Sequence, residues 1–398
     1  MNLVDTGFVL LCSTLVFLMT PGLAFFYGGL VGRHNTLTIM AQNLISLGVV
    51  SVVWIVIGFS LAFGDSIGGI FGNLRYGLFR IEVNDVFPGT TIPTWTFFLF
   101  QMMFAVITPA LITGAFVDRF RFSSYLIFIS VWSIVVYSVL AHSVWGGGLL
   151  AKLGAIDFAG GTVVHISAGM AALATISVLG KRRTRTAPHD VRFVALGAAL
   201  LWFGWFGFNG GSALSPNEIA SIAFINTDIS ASTAMVVWML MSWLHKGKPS
   251  IIGALTGAIA GLIAITPAAG YVTPGSAAII GVLAGAVCYG AVLFKERMDW
   301  DDALDVWAVH GVGGVLGSIL TGVFASPKTG APPGLIFGET GLFFANLGAT
   351  LISMVYAFAM TWIVLKVIGW IKRLKPETDE LEAGLDLTFH GERALDHD

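Results

Sequence analysis

Two long stretches without charge constrain this sequence most strongly. Residues 35–64 and 249–294 contain no Lys, Arg, Asp or Glu, and the second stretch is 46 residues long. A helix needs about 20 apolar residues to cross the hydrocarbon core of a bilayer. The longer stretch is therefore predicted to form two such helices, and its turn residues at Thr266-Pro267 and Thr273-Pro274-Gly275 mark the break between them.

The composition supports a membrane protein throughout. Only 11% of the 398 residues are charged and the mean hydropathy is +0.84, whereas soluble domains carry about 25% charged residues. This excludes a disordered chain, a nucleic-acid binder and an ordinary soluble enzyme. The first basic residue is Arg33, so no signal peptide is expected and the first apolar stretch is predicted to be a span. Cys12 and Cys288 lie in apolar stretches, and we expect neither a metal site nor a cofactor.

The distribution of apolar residues predicts an all-α polytopic membrane protein with about eleven transmembrane helices. The predicted spans are residues 6–32, 37–63, 92–116, 122–141, 160–180, 193–212, 219–244, 250–269, 274–294, 303–324 and 339–371. They form a transmembrane domain, residues 1–372. The last 26 residues, 373–398, hold eight acids and three bases and are predicted to be a cytoplasmic interaction tail, the alternative being a solvated, unattached end.

Basic residues predict the orientation of these spans. Of the 21 Lys and Arg residues, 17 follow odd-numbered spans and only four follow even-numbered ones. Because basic residues are enriched in cytoplasmic loops, the N-terminus is predicted to be outside and the C-terminus in the cytoplasm. An odd number of spans is required for this alternation.

The chain also repeats itself weakly, with an offset of five spans. Three pairs of segments recur in the same order: Phe26-Tyr27-Gly28-Gly29 with Phe208-Asn209-Gly210-Gly211, Ile107-Thr108-Pro109-Ala110 with Ile265-Thr266-Pro267-Ala268, and Asp157/His165 with Asp302/His310. Because five is odd, the two halves are predicted to be inverted relative to each other. Inverted repeats place substrate sites near the membrane midplane.

The two Asp–His pairs are the strongest functional signal in this repeat. Asp157 and Asp302 each precede a histidine by eight residues, at a helix start where an acid suits the helix dipole. His165 and His310 would approach the midplane from opposite faces, and the repeat axis would bring them together. Ionisable groups inside a membrane are costly and usually line a pathway, although a hydrogen-bonded packing role remains the alternative.

Aromatic residues cluster around the predicted outer end of this pathway. Phe100 and Phe104 lie in span 3, Trp145 precedes span 5, and Ser212 ends a Gly- and aromatic-rich segment in span 6. Such rings attract cations through their quadrupoles. Asp157 would add negative charge there, although capping of span 5 explains it equally well.

These motifs resemble the ammonium transporter (Amt/Rh) family, specifically its microbial branch. The resemblance covers nearly the whole chain and rests on the segments 157–165, 204–212 and 302–310, and on the tail segments 384–386 and 390–392. It implies eleven helices in two inverted five-helix halves plus a final helix, a homotrimer in the cell membrane, a role in nitrogen metabolism, and ammonium or methylammonium as substrate. It further implies regulation by a PII-type nitrogen-signalling protein at the cytoplasmic face.

The resemblance also assigns roles to individual residues. Trp145, Phe104 and Ser212 match an external ammonium site, beside which we place Phe100. Phe104 and Phe208 match a phenylalanine gate, and His165 and His310 match a pore histidine pair. Asp157 and Trp205 match supporting positions, to which the repeat adds Asp302. Leu395 stands where the family tail usually has tyrosine, which leaves tail docking open.

The resulting hypothesis is that ammonium is recruited outside, loses a proton, and crosses as ammonia, with its proton carried separately. Electroneutral and electrogenic transport both remain open. One alternative is an ammonium sensor that transports little. Another is an intramembrane enzyme using Ser212 and the histidines, which we expect to lie too far apart for a nucleophile–base pair.

Overall fold

The computed structural model describes residues 1–394, so Leu395 lies outside the described residues. Ten helices in this part of the chain are long and apolar enough to cross a membrane, and a shorter apolar helix, Ile251–Ile265, completes the predicted set. In chain order they are α1 Leu3–Leu30, α2 Arg33–Phe63, α3 Thr94–Ala115, α4 Phe122–Lys152, α5 Gly161–Leu179, α6 Val191–Gly211, α7 Glu218–Lys246, α8 Ile251–Ile265, α9 Pro274–Arg297, α10 Trp307–Phe324 and α11 Gly341–Ile371. The predicted fold class, an all-α polytopic membrane protein, is confirmed.

Short elements occupy the loops. Between α2 and α3, strands β1 (Ser66–Ile67) and β2 (Phe71–Gly72) pair antiparallel, followed by a 3₁₀ turn at Gly77–Phe79. Two further 3₁₀ turns connect α10 to α11, Pro327–Thr329 and Leu335–Phe337. After α11 come the short helix α12, Thr378–Ala383, and a π-helical turn, Asp386–His390.

Two predicted helix ends differ from the structure. The helix predicted over 250–269 ends at Ile265, because Pro267 cannot continue its hydrogen bonding, and Pro274 stands in the first turn of α9. The helix predicted to end at 141 continues through Trp145 and adds a turn to Lys152. Trp145 therefore lies at a helix end rather than in a loop.

Glycines let the first helices of the two halves approach closely. A Cβ atom at Gly197 of α6 would stand 2.2 Å from the backbone nitrogen of Phe26 in α1, and one at Gly204 would stand 2.6 Å from the carbonyl oxygen of Leu15. Small residues permit such packing in membranes. The pairing of spans 1 and 6, which the repeat relates, is thus a direct backbone contact.

Helices α5 and α10 cross in the same way. A Cβ at Gly169 would lie 2.2 Å from both Cα and N of Gly311. Both helices open with a π-helical turn, Gly161–Ile166 and Trp307–Gly311. Both helices begin a few residues after their aspartates. Each histidine lies within the opening turn.

A buried charged cluster fixes the loop that leads into α10. The Arg119 guanidinium, 3% exposed, donates to the carboxylate of Asp301 at 3.2 Å and to its carbonyl at 2.5 Å. Arg182 donates to the same carboxylate at 2.8 Å. Burial lowers the pKa of Arg119 to about 10, although Asp301 opposes that shift. Because an uncompensated buried charge is costly, these ion pairs hold the 299–306 loop in place.

The tail is bonded to the body at the same side of the membrane domain. The Asp386 carboxylate accepts the backbone N–H groups of Leu37 and Thr38, at 2.9 and 2.7 Å, and so caps the start of α2. The Leu385 N–H donates to Asn35 Oδ1 at 2.9 Å. These bonds attach residues 385–386 to the helical body. The division into a transport domain, 1–372, and a regulatory tail, 373–398, stays a prediction.

Candidate functional site

Four aromatic rings from three helices meet at one end of the bundle. Phe104 of α3 lies 6.1 Å from Trp145 edge-to-face, 5.0 Å from Phe100 and 4.2 Å from Phe208 of α6, measured between ring centroids. The structure therefore brings together all four aromatic residues predicted for the external site and gate. Phe100, Phe104 and Phe208 are fully buried, whereas Trp145 is partly exposed.

Ser212 closes this group from the end of α6. Its hydroxyl donates to the carbonyl of Phe208 at 2.8 Å, and the residue remains partly exposed. Because that bond uses the single hydroxyl proton, both lone pairs of Oγ remain available to accept. The Trp145 indole N–H donates to the Asp157 carbonyl at 2.9 Å, which fixes the ring orientation.

The Asp157 carboxylate caps α5. One oxygen accepts the N–H groups of Gly160 and Gly161, both at 2.8 Å, and the other accepts the Thr162 N–H at 2.7 Å and the Thr162 hydroxyl. With four donors on two oxygens, the carboxylate has no free direction for a substrate. Of the two interpretations left open, the capping one agrees with this geometry. Gly160, at φ 119°, supplies the left-handed turn that the cap requires.

The two histidines lie side by side below the phenylalanines. His165 Nδ1 and His310 Nδ1 are 3.3 Å apart, and the side chains are 1% and 5% exposed, respectively. A proton on one of these nitrogens can be donated to the other. His165 Nε2 has no hydrogen-bond partner among the described residues, although it is buried.

The histidine pair opens onto a narrow, mostly apolar cavity. Its volume is about 20 Å³, room for about one water-sized molecule. Trp205 forms one wall, stacks at 5.5 Å on His165, and is oriented by a 2.9 Å bond from its indole N–H to the Thr266 hydroxyl. Further lining residues are Met19, Leu23, Phe26, Tyr27, Ile107, Leu111, Val164, Leu201, Phe208 and Ile259.

Most of these lining residues were not predicted from the sequence. Met19 and Leu23 of α1, Leu201 of α6 and Ile259 of α8 carry no polar atom. An apolar side chain facing a narrow cavity looks the same in sequence as one facing lipid. Their helices were predicted, but the inward-facing positions were not.

Asp302 lies in the loop before α10. Its carboxylate accepts the Trp307 N–H at 2.6 Å and so caps α10 as Asp157 caps α5. The structure thus brings the four aromatic residues together and pairs the two histidines, whereas it places both aspartates as caps. The enzyme alternative lacks its required contact, since the Ser212 hydroxyl bonds the Phe208 carbonyl rather than a histidine.

Ten spanning helices and one shorter apolar helix, which enclose a narrow cavity lined by two histidines, define a multi-pass membrane protein. A family model for the Ammonium Transporter Family matches residues 7–395. The chain belongs to that family.

Relatives cover the chain almost completely. The chain is 46% identical over 400 residues to an ammonium transporter of Bacillus subtilis, with 99% of each chain covered. It is similar to the crystal structure of Saccharomyces cerevisiae Mep2, with a TM-score of 0.90, 33% identity, and coverage of 95% of this chain and 88% of that one. A solved structure described as a sensor Amt protein has a TM-score of 0.88 and 29% identity, over 97% of this chain and 98% of that one.

Proposed function

We propose that this protein transports ammonium by binding the cation at the outer aromatic site and conducting ammonia through the histidine-lined pore. The observation that carries this proposal is the continuity of the two parts. The Phe104–Phe208 contact, at 4.2 Å, separates the Trp145/Ser212 site directly from the His165/His310 pair. The names of the similar proteins support the substrate.

Selectivity follows from hydrogen bonding rather than size. Ammonium and potassium carry the same charge and are nearly the same size, but only ammonium donates hydrogen bonds. The free lone pairs of Ser212 Oγ accept such a bond, and Trp145 and Phe104 contribute cation–π attraction of about 0.5–2 kcal/mol. Potassium gains only the cation–π attraction.

Below the phenylalanines the pore favours the neutral molecule. Moving a bare cation into an apolar cavity costs far more than moving a neutral amine. Ammonium therefore loses its proton near Phe104 and Phe208, and ammonia continues along the cavity. The histidine pair accepts and donates hydrogen bonds to it and relays the separated proton.

The wider assembly follows from the family and the charge pattern. We propose a homotrimer in the cell membrane, each subunit with its own pore, the N-terminus outside and the C-terminus cytoplasmic. A PII-type nitrogen-signalling protein is the proposed partner at the cytoplasmic face, where α12 and the Asp386 cap lie.

A sensor is the second candidate, because one similar structure is described as a sensor Amt protein. A sensor would bind ammonium at the outer site while conducting little through the pore. Transport measurements separate the two.

The deciding experiment is uptake of isotopic methylammonium into proteoliposomes that contain the purified protein, with potassium as competitor. We expect saturable uptake that a large excess of potassium does not inhibit. Protein-free vesicles provide the control. Saturable binding without uptake would favour the sensor, and inhibition by potassium would contradict the selectivity argument.

A further inference from the structure

The two repeat-related aspartates differ in the hydrogen bonding of their carboxylate oxygens. All acceptor directions of Asp157 are used by donors from its own turn. Asp302 accepts the Trp307 N–H with Oδ2, but its Oδ1 has no hydrogen-bond partner among the described residues. Since Asp302 is only 1% exposed, that oxygen is also withdrawn from bulk water.

The backbone of the two turns makes the difference. In the first repeat the Gly160 and Gly161 N–H groups satisfy one oxygen of Asp157. At the corresponding place in the second repeat, the Asp305 N–H donates to the Asp302 backbone carbonyl at 3.3 Å instead of to the carboxylate. A buried acceptor without a partner costs about 1–3 kcal/mol.

Charged groups lie next to Asp302 on its solvent side. The Lys295 ammonium of α9 donates to the Asp302 carbonyl at 3.0 Å and bonds the Asp305 carboxylate. Asp305, 29% exposed, connects the group to solvent. Arg119 and Asp301 lie in the adjoining cluster.

The loop that follows Asp302 packs close to the pore. Tyr27 of α1 lines the same cavity as His310. Gly114 lies between the Tyr27 ring and this loop: a Cβ there would stand 3.2 Å from Tyr27 Cζ and 2.5 Å from a Val306 methyl carbon. The Tyr27 hydroxyl itself donates to the Leu111 carbonyl at 3.1 Å. Asp302 therefore belongs to the loop that packs beside the Tyr27 wall of the cavity.

Burial favours the protonated form of this carboxyl group. Burial raises the pKa of Asp302 to about 6; Lys295 opposes the shift and Asp305 adds to it. A carboxylic acid is a far stronger acid than ammonium, so proton transfer from it to ammonia is downhill.

We propose that Asp302 is the proton donor that converts ammonia to ammonium as it leaves the pore. The Asp302 O–H bond breaks, an N–H bond forms on ammonia, and the carboxylate then regains a proton from the cytoplasmic solution past Asp305. No electron is transferred. This inference rests on the proposed transport function and adds to it the group that acts at the exit.

The test is the dependence of methylammonium uptake on luminal pH, in proteoliposomes whose protected C-terminal tail shows that the Asp302 side faces the lumen. At constant outside pH, we expect wild-type uptake to vary with luminal pH with a midpoint near 6. Asp302→Asn keeps an acceptor for the Trp307 N–H but has no acidic proton, so this dependence should disappear. Asp299→Asn alters an exposed carboxylate on the same face and should retain the wild-type profile.

A second variant keeps the acid and removes its charged neighbour. Lys295→Met removes the ammonium group that favours the ionised Asp302 carboxylate, and should move the midpoint to higher pH. If Asp302→Asn does not fold, this shift decides the question. A wild-type profile in Asp302→Asn, or an unmoved midpoint in folded Lys295→Met, would overturn the assignment. Absence of wild-type uptake would instead refute the transport function itself.

Discussion

Ser212 and Asp157, two polar residues near the aromatic cluster, differ in their hydrogen bonding. The Ser212 hydroxyl donates its hydrogen bond to the Phe208 carbonyl and keeps free lone pairs that can accept. The Asp157 carboxylate already accepts hydrogen bonds from four donors. In the proposed mechanism Ser212 accepts a hydrogen bond from ammonium, whereas Asp157 holds the start of α5. Substitutions should therefore affect binding in one case and folding in the other.

We predict that Ser212→Ala weakens the apparent affinity for methylammonium about tenfold or more. A hydrogen bond to a charged group contributes about 1.5–3 kcal/mol, and tenfold corresponds to about 1.4 kcal/mol. The measurement is the half-saturation constant for uptake into proteoliposomes. Ser221→Ala, on the exposed outer part of α7, is the matched control; an unchanged constant in Ser212→Ala would refute the binding role.

For Asp157→Asn we expect a loss of stability. The substituted amide directs N–H groups toward backbone donors that the carboxylate now satisfies, leaving buried groups unpaired at about 1–3 kcal/mol each. A thermal unfolding scan in detergent should show a lower transition temperature than in Asp299→Asn. An unchanged transition together with weaker methylammonium binding would mean that Asp157 contacts the substrate instead.

Residues with distinctive chemistry were predictable at this scale, and apolar lining residues were not. The histidines, Trp145 and Ser212 stand out because such groups are expensive or unusual in a membrane span. Leu201 and Ile259 carry no such mark. The role of Asp157 could not be predicted from the sequence, because an acid before a helix suits both a cap and a cation site.

Among the helices, the crossing of α5 and α10 sets the geometry of the pore centre. Gly169 and Gly311 let the two backbones touch, and His165 and His310 project from the turns beside that contact. The 3.3 Å histidine pair thus depends on residues that have no side chain.

We predict that Gly169→Ala abolishes or strongly reduces uptake. Its methyl group would meet the Gly311 backbone at 2.2 Å, so the helices must separate and the histidines with them. Overpacking of this kind costs about 1–3 kcal/mol. Gly348→Ala in α11 has open space around it and should transport normally; normal uptake in Gly169→Ala would show that the crossing tolerates separation.

Helix number and order followed from the charge-free stretches, but several ends did not. The helix predicted to end at residue 141 continues to Trp145, and Gly146 ends it there. The π-helical openings of α5 and α10 depend on the caps by Asp157 and Asp302. Such ends are decided by tertiary hydrogen bonds, which hydropathy does not contain.

Across the whole molecule, the tail packs against the ends and loops on one side of the helical body. Asp386 caps α2, Arg121 pairs with Glu380 at 2.8 Å, and Arg183 of the 180–190 loop pairs with Glu382 at 3.3 Å. The acidic tail is thus attached through both basic side chains and backbone N–H groups.

We predict that Asp386→Ala releases the tail. Loss of the two backbone bonds to Leu37 and Thr38 leaves the start of α2 uncapped, which costs about 0.5–2 kcal/mol. Limited proteolysis should cleave the variant tail faster than the wild-type tail, whereas Asp379→Ala, with no such cap, should behave as wild type. Equal cleavage rates in all three proteins would contradict the docking role.

In the proposed mechanism, the pore separates ammonium into ammonia and a proton between Phe104 and His310. The most direct test compares methylammonium uptake and potassium current in proteoliposomes of wild type and the double variant His165→Ala/His310→Ala. We predict potassium-excluding uptake in the wild type, and in the variant either loss of uptake or entry of potassium. Unchanged, potassium-excluding uptake in the double variant would contradict the account.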